Sequence, residues 1–249
     1  MAELERKTAE TMYLSSGFVA PSLSALGVPH LFTTRNQAEF HGLGETEVSC
    51  ASALATLGRP DAQLVTLHQV HAAGVFDGDG ELPAEDPAAD AVVTSRPERL
   101  IAIRVADCVP ILLSNTTGTR VAAVHGGWRG LVAGVIPATL ASFAGEQVIA
   151  AIGPCISSPH FEVGPEVAEA FRAVDLGSAV HPQADSNPRI DLRAAAQLQL
   201  QRCGVEVIDE TSACTWGDEE HFFSYRRDVT HGGSMSTGRQ YALIAVSGE

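Results

Sequence analysis

Val121-Ala-Ala-Val-His-Gly-Gly-Trp-Arg-Gly130 is the stretch from which the rest of this chain can be read. An apolar run of strand length breaks at His125 into two glycines, and then Trp128, Leu131, Val132, Val135 and Ile136 recur at helical spacing. A strand turning straight into a helix gathers an imidazole, the Arg129 guanidinium and close-approaching backbone amides at one point. Working outward, Leu100-Ile-Ala-Ile-Arg-Val105 and Ile111-Leu-Leu113 bracket Ala106-Asp-Cys108. Leu64-Val-Thr-Leu-His-Gln-Val-His71 is a further strand, again ending on an imidazole. Ala91–Thr94, Gln147–Ile152, Val205–Ile208 and Tyr241–Val246 are the other apolar runs, with a short extended stretch at His30–Thr34. Runs this continuously apolar read as strands covered on both faces.

Helices are expected at Pro165–Ala173, which has proline in its first turn, and at Leu192–Cys203, with Gly204 in the C-cap role. A short alanine-rich helix at Val48–Leu57 is stopped by Gly58-Arg-Pro60. Pro137 sits inside the helical pattern after Trp128 and is expected to kink or end it. Asn36–Thr46 and the acidic Asp77–Ala89 read as loops. No linker, repeat or low-complexity tract divides the chain, so the expectation is one domain over residues 1–249, of mixed α and β class.

The 249 residues carry a formal net charge of -14, are 45% hydrophobic and 18% charged, and contain no basic block. That field repels phosphate backbones and anionic lipid, which argues against nucleic acid or a membrane surface as partner. A small anionic substrate would need local arginines. The five cysteines make no staple pattern and the N-terminus has no apolar signal core, so reduced thiols in the cytoplasm are expected.

His71, Cys108 and His125 stand at strand ends and offer two nitrogens and one sulfur, a donor set suited to zinc with one position open for water. Their spacing is far too long for a zinc finger, so the reading requires strand ends that converge in space. Spacing alone leaves another reading open, a buried thiol and two histidines satisfied by carbonyls. His68 competes with His71, because residues three apart in a strand face opposite sides unless the strand breaks. Asp107 reads equally as an acid/base, a ligand-orienting group or a turn residue. Cys155 would be a fourth ligand if the metal were structural, although Gly153-Pro-Cys155 reads more simply as a turn.

Gln69-Val-His71, Ala106-Asp-Cys-Val-Pro110, Val124-His-Gly-Gly-Trp-Arg-Gly130, Gly153-Pro-Cys-Ile156, Phe161-Glu-Val-Gly164 and Phe222-Phe-Ser-Tyr-Arg-Arg-Asp228 follow one another in this order. This arrangement resembles the YfiH-like laccase-domain family, once called multicopper polyphenol oxidases and now described as purine nucleoside phosphorylases. Some bacterial members are labelled peptidoglycan editing factors. The resemblance runs from roughly residue 60 to the C-terminus. It implies a layered α/β/β/α sandwich and puts the family's metal-binding His, Cys and His on His71, Cys108 and His125. Thr33-Thr-Arg35 matches the start of the family's N-terminal pattern, but Asn36–Thr46 lacks its Asn-Leu-Gly run. Val229–Ser236 lengthens a turn that is short in the family.

The resemblance implies phosphorolysis of purine nucleosides (adenosine, inosine, methylthioadenosine) and deamination of adenosine, with inorganic phosphate as co-substrate. Zinc chemistry suits the deamination, and Cys108 and Asp107 join Arg129 as candidate catalytic groups. Phosphorolysis builds negative charge that needs cations, with Arg129 first and Arg35, Arg226 and Arg227 after it. For Arg226 and Arg227, surface pairing in an acidic protein is the competing expectation. Two alternatives use the same residues. A laccase-like oxidase would put copper on the three ligands, but nine histidines without a His-x-His pair and three methionines fit a multicopper enzyme poorly. A cysteine hydrolase acting on peptidoglycan precursors would use Cys108 as nucleophile and a neighbouring histidine as base.

Overall fold

A computed structural model describes residues 12–14, 17–35 and 55–248 of the chain. In order, its strands are β1 (Met12–Leu14), β2 (Gly17–Val19), β3 (His30–Phe32), β4 (Gln63–Val65), β5 (Val75–Asp77), β6 (Ala91–Thr94) and β7 (Arg99–Val105). They continue with β8 (Val109–Asn115), β9 (Val121–Gly126), β10 (Val148–Ile152), β11 (Val180–His181), β12 (Arg189–Ile190), β13 (Val207–Glu210) and β14 (Gln240–Ile244). One 6-stranded sheet runs β1-β2-β3-β14-β7-β4 and a second runs β13-β10-β8-β9-β6-β5, with β11 and β12 forming a ribbon apart. Both large sheets are mixed: β4–β7, β5–β6 and β10–β13 are parallel and the other pairs antiparallel.

Period-2 alternation explains the layering. On β8 and β9, Val109, Ile111, Leu113, Ala122 and Val124 point at a helical layer, while Leu112, Val121 and Ala123 point at the other sheet. On β7 and β14, Ile101, Ile103, Val105, Ala242 and Ile244 meet them from the facing sheet. Leu100, Ala102, Tyr241 and Leu243 turn outward into a third cluster, against which Leu57 packs. Strands apolar on both faces are what a sheet buried on both sides requires. The result is the mixed α+β class expected from the sequence, with a helical layer outside one sheet and two sheets face to face.

The helices are α1 (Pro21–Ala25), α2 (Trp128–Ala133), α3 (Val135–Ala141), α4 (Pro165–Ala173) and α5 (Leu192–Arg202). The helical pattern after Trp128 breaks at Gly134, ahead of Pro137. Gly134 takes φ 83, in the left-handed region open to glycine, and its N–H closes α2 onto Gly130 and Leu131. Pro137 then falls in the first turn of α3, where a missing N–H costs no intrahelical bond. Asn36–Thr46 and residues 48–54 of the helix expected at Val48–Leu57 lie outside the described residues; residues 55–56 are helical. Among the described residues, no helix is long and apolar enough to cross a membrane.

Candidate metal centre

The strand expected over Leu64–His71 stops at Val65, and farther along the same segment a side chain takes over the pairing with β7. The Gln69 amide donates to the Arg104 carbonyl at 2.8 Å and accepts from the Arg104 N–H at 2.8 Å. It stands in for a strand residue beside the end of β7, which frees the backbone after it to turn. His71 then adopts φ 59, a left-handed conformation uncommon for a residue with a side chain. Because the strand breaks, His68 and His71 line the same cavity rather than opposite faces.

Asp90, just before β6, holds that turn. Its carboxylate accepts from the N–H groups of Val70 (3.3 Å), His71 (2.9 Å) and Ala72 (2.7 Å), and from His125 Nδ1 at 2.8 Å. One fully buried carboxylate thus ties the backbone of one imidazole to the ring of the other. Burial alone would raise the Asp90 carboxyl, but the bonds from His125 and the Ala72 amide hold it below the ordinary carboxylate range.

Cys108 arrives by strand register. In the β8–β9 pair Val109 lies opposite Gly126 and Pro110 opposite His125, so Cys108 lies just beyond Gly126, next to Gly127. A Cβ added at Gly127 would lie 2.9 Å from His71 Cδ2, 3.4 Å from Cys108 Sγ and 3.7 Å from His125 Cε1. A side chain at 127 would therefore press on the His71 ring, and glycine leaves that space free. Cys108 Sγ is 3.9 Å from His71 Nε2, and the two imidazoles meet edge to face with centroids 4.7 Å apart. One ligand atom from each of His71, Cys108 and His125 falls within 4.8 Å of the others, the one such cluster among the described residues. A thiolate and two imidazoles converging at this distance, one ring fixed from behind by a carboxylate, fit a divalent metal of borderline softness.

The charges of the trio are coupled. Burial would raise the Cys108 thiol, yet His125 and His71 bring it down to about 6. Burial would lower His125, yet the Cys108 thiolate and the Asp90 hydrogen bond raise it to about 9. Between these values the pair rests as thiolate and imidazolium.

These groups open into a cavity of about 520 Å³, a size suited to a small ligand. Arg104, Arg129, Arg226 and Arg239 line it, as do the rings of Trp128, Phe161, Tyr225 and Tyr241. Arg129 lies over Trp128 at 4.3 Å, and its guanidinium has no hydrogen-bond or ion-pair partner among the described residues. Arg226 lies over Phe161 at 5.1 Å and donates to the Glu162 carbonyl at 2.7 Å.

Other residues singled out in the sequence serve elsewhere. Arg35 donates to the Glu219 carbonyl at 2.6 Å and covers Phe223 at 4.7 Å; it does not line the cavity. Arg227 clamps the carbonyls of Thr215, Trp216 and Phe222 and pairs with Asp228, so its guanidinium is spent on structure. Asp107 borders the cavity, but both of its oxygens are engaged, accepting from Thr215 Oγ1 and the Arg226 N–H, each at 2.7 Å. At φ 90 it also turns the chain between β7 and β8. Cys155 stands apart from the trio beside Arg193, and burial pushes its thiol up to about 12. Sequence reasoning missed Asp90, Arg104 and Arg239. The available signal was a lone charged residue next to apolar ones, as in Ala89-Asp90-Ala91 and Ile103-Arg104-Val105.

Comparison with known proteins places the chain in a family. The family model described as multi-copper polyphenol oxidoreductase laccase matches residues 45–247. The chain belongs to that family. Relatives named purine nucleoside phosphorylase YfiH, from Shigella flexneri and Escherichia coli, are each 43% identical over 190 residues, covering 75% of this chain and 75% of theirs. A Deinococcus radiodurans relative named purine nucleoside phosphorylase is 33% identical over 242 residues, covering 89% of this chain and 90% of its own. The crystal structure of a Neisseria meningitidis protein superimposes with TM-score 0.78 at 32% identity, covering 89% of this chain and 95% of that one. YlmD from Geobacillus stearothermophilus shares the fold, with TM-score 0.82 at 24% identity over 96% of this chain and 99% of that one.

The coupled titration gives a measurable consequence. Metal ligation needs thiolate and neutral imidazole together, so loading zinc at pH 7 should release about one proton per chain. Release should fall toward none above pH 9, where His125 is already neutral, and rise below pH 6, where the thiol must also ionise. Calorimetric zinc titrations in buffers of different ionisation enthalpy measure this; no proton release at pH 7 would contradict the ion-paired resting state.

Proposed function

We propose that this protein is a zinc-dependent purine nucleoside phosphorylase that also deaminates adenosine. One observation carries the reading: the His71–Cys108–His125 cluster and the guanidinium groups of Arg104, Arg129, Arg226 and Arg239 face one cavity walled by aromatic rings. The names of the relatives support the phosphorylase part. The aromatic rings suit a purine base, whose flat face stacks on them. Adenosine, inosine and methylthioadenosine are the nucleosides proposed.

In phosphorolysis a phosphate oxygen bonds to the ribose anomeric carbon while the bond to the purine nitrogen breaks and its electron pair leaves with the base. Arg129, whose guanidinium has no hydrogen-bond or ion-pair partner among the described residues, is assigned to the phosphate; Arg226, over a second ring of the same cavity, supports it. Asp107 is a positioning residue, because it anchors the Arg226 backbone. Asp90 keeps Nδ1 of His125 occupied, so that Nε2 is the nitrogen left for ligation. A zinc ion on His71, Cys108 and His125 supplies Lewis-acid and water-activating chemistry, which suits the deamination. Copper suits the same donors. The free thiols of Cys108, Cys155, Cys203 and Cys214 support a cytoplasmic setting.

A second reading draws on one specific feature. Cys108, His125 and Asp90 are ordered as nucleophile, base and orienting carboxylate, with the thiol brought down to about 6. A cysteine hydrolase would use such a set, on peptidoglycan precursors or another acyl substrate. The converging second imidazole of His71 favours metal over nucleophile, since a dyad needs one histidine. Metal stoichiometry separates the two readings.

Cys108→Ala should lose bound zinc and lower phosphate-dependent release of hypoxanthine from inosine by roughly 100-fold or more. Full activity in a zinc-free Cys108→Ala protein overturns the proposal. Arg129→Ala should lower phosphorolysis by about 10- to 100-fold and deamination much less, because only phosphorolysis needs phosphate. Parallel assays on inosine and adenosine decide this, and equal losses contradict the assignment of Arg129.

A further inference from the structure

A second cavity, of about 350 Å³, lies beside the first, between the Ser158–His160 turn, β12 and the π-helical segment Arg226–His231. Arg226 lines both cavities, so one residue joins them. The phosphorolysis reading makes no use of this space. Its basic side chains are Arg189, Arg226, His160 and His231, and its carboxylate is Glu162. In a chain of formal charge -14, two arginines against one carboxylate make this concave place locally richer in positive side chains.

The cations are not neutralised from within. Glu162 accepts from the Asn187 amide at 3.2 Å, and among the described residues it forms no ion pair with either arginine. Arg189 makes no side-chain hydrogen bond or ion pair among the described residues, and its Nε is shut inside the protein without a partner, so no internal group offsets the charge it brings to the cavity. The Arg226 guanidinium spends Nη1 on the Glu162 carbonyl, and its remaining guanidinium N–H groups have no hydrogen-bond partner among the described residues. His160 is stacked on Trp216 at 4.0 Å and 17°, which fixes its ring in the wall.

We propose that this second cavity is an oxyanion site that takes a phosphate group on Arg189 and Arg226. A planar guanidinium offers paired N–H donors matched to phosphate oxygens, and such charge-assisted bonds are strong. Because Arg226 faces both cavities, the phosphate belongs to a ligand whose body lies in the first: a phosphorylated nucleoside. The inference rests on the nucleoside reading for the body of the ligand, while the anion site stands on its own residues. Free inorganic phosphate has the same chemistry, and the test separates the two sources.

The test measures calorimetric affinities of adenosine, adenosine 5′-monophosphate and inorganic phosphate for the full chain and for Arg189→Met and Arg189→Lys. The wild type should bind the monophosphate at least about tenfold tighter than adenosine; Arg189→Met should bring the two within about twofold, and Arg189→Lys should fall between. If the monophosphate matches adenosine in the wild type, but inorganic phosphate weakens about tenfold in Arg189→Met, the site holds free phosphate. Unchanged affinities for both in either folded variant, with thermal midpoints near wild type, overturn the site. Arg189→Lys keeps the charge and a comparable stem, so it serves should Arg189→Met fail to fold. Arg189-dependent phosphate binding in a protein that releases no base from inosine would remove the phosphorylase reading and leave this site intact.

Discussion

The buried carboxylate of Asp90 is the constraint on which this site depends. A fully buried charge is tolerable only when its lone pairs are filled, and Asp90 fills them with three consecutive backbone N–H groups and one imidazole. That satisfaction has a geometric consequence. The chain at residues 70–72 must curl around the carboxylate, which drives His71 to φ 59, and His125 must present its far nitrogen to the same point. Cys108 then needs only the β8–β9 register to join them. The three donors converge because one anion organises two of them and a ladder of hydrogen bonds delivers the third.

The same economy runs through the cavity walls. Arginines divide into those consumed by the fold and those left facing the cavities. Arg227 is held by backbone carbonyls and its neighbouring carboxylate, and Arg35 by the Glu219 carbonyl and the Phe223 ring. Arg129 and Arg226 also lie over aromatic rings, which support the side chain without neutralising its charge, but unlike Arg35 they line the cavity. In an acidic protein these are the places able to receive an anion. The family's description speaks of several coppers, whereas the described residues offer one cluster of three donors.

Much of this was legible in the sequence, for local reasons. The run from Val121 to Gly130 announced a strand, a glycine turn and a helix, and the apolar stretches announced strands covered on both faces. Pro165 and Gly204 marked helix ends, because their backbone preferences act within a few residues. What escaped was non-local. The strand toward His71 ends at Val65, and the Gln69 amide then imitates a strand beside Arg104, a pairing that nothing local signals. Asp90 looked like an ordinary residue at a strand start, since its partners are distributed over 70–72 and 125. The π-helical segment at Arg226–His231 opens on an N–H that donates to Asp107 from across the fold. Gly134 rather than Pro137 broke the helix, a case in which both residues were visible and the physical weight lay with the left-handed backbone.

The most direct measurement is X-ray absorption at the zinc edge of protein purified without added metal, with the metal content of the same sample determined. One zinc per chain is expected, in a shell of one sulfur and two imidazoles completed by a light-atom donor. Protein active on nucleosides but free of stoichiometric metal, or a metal shell lacking sulfur, would contradict it.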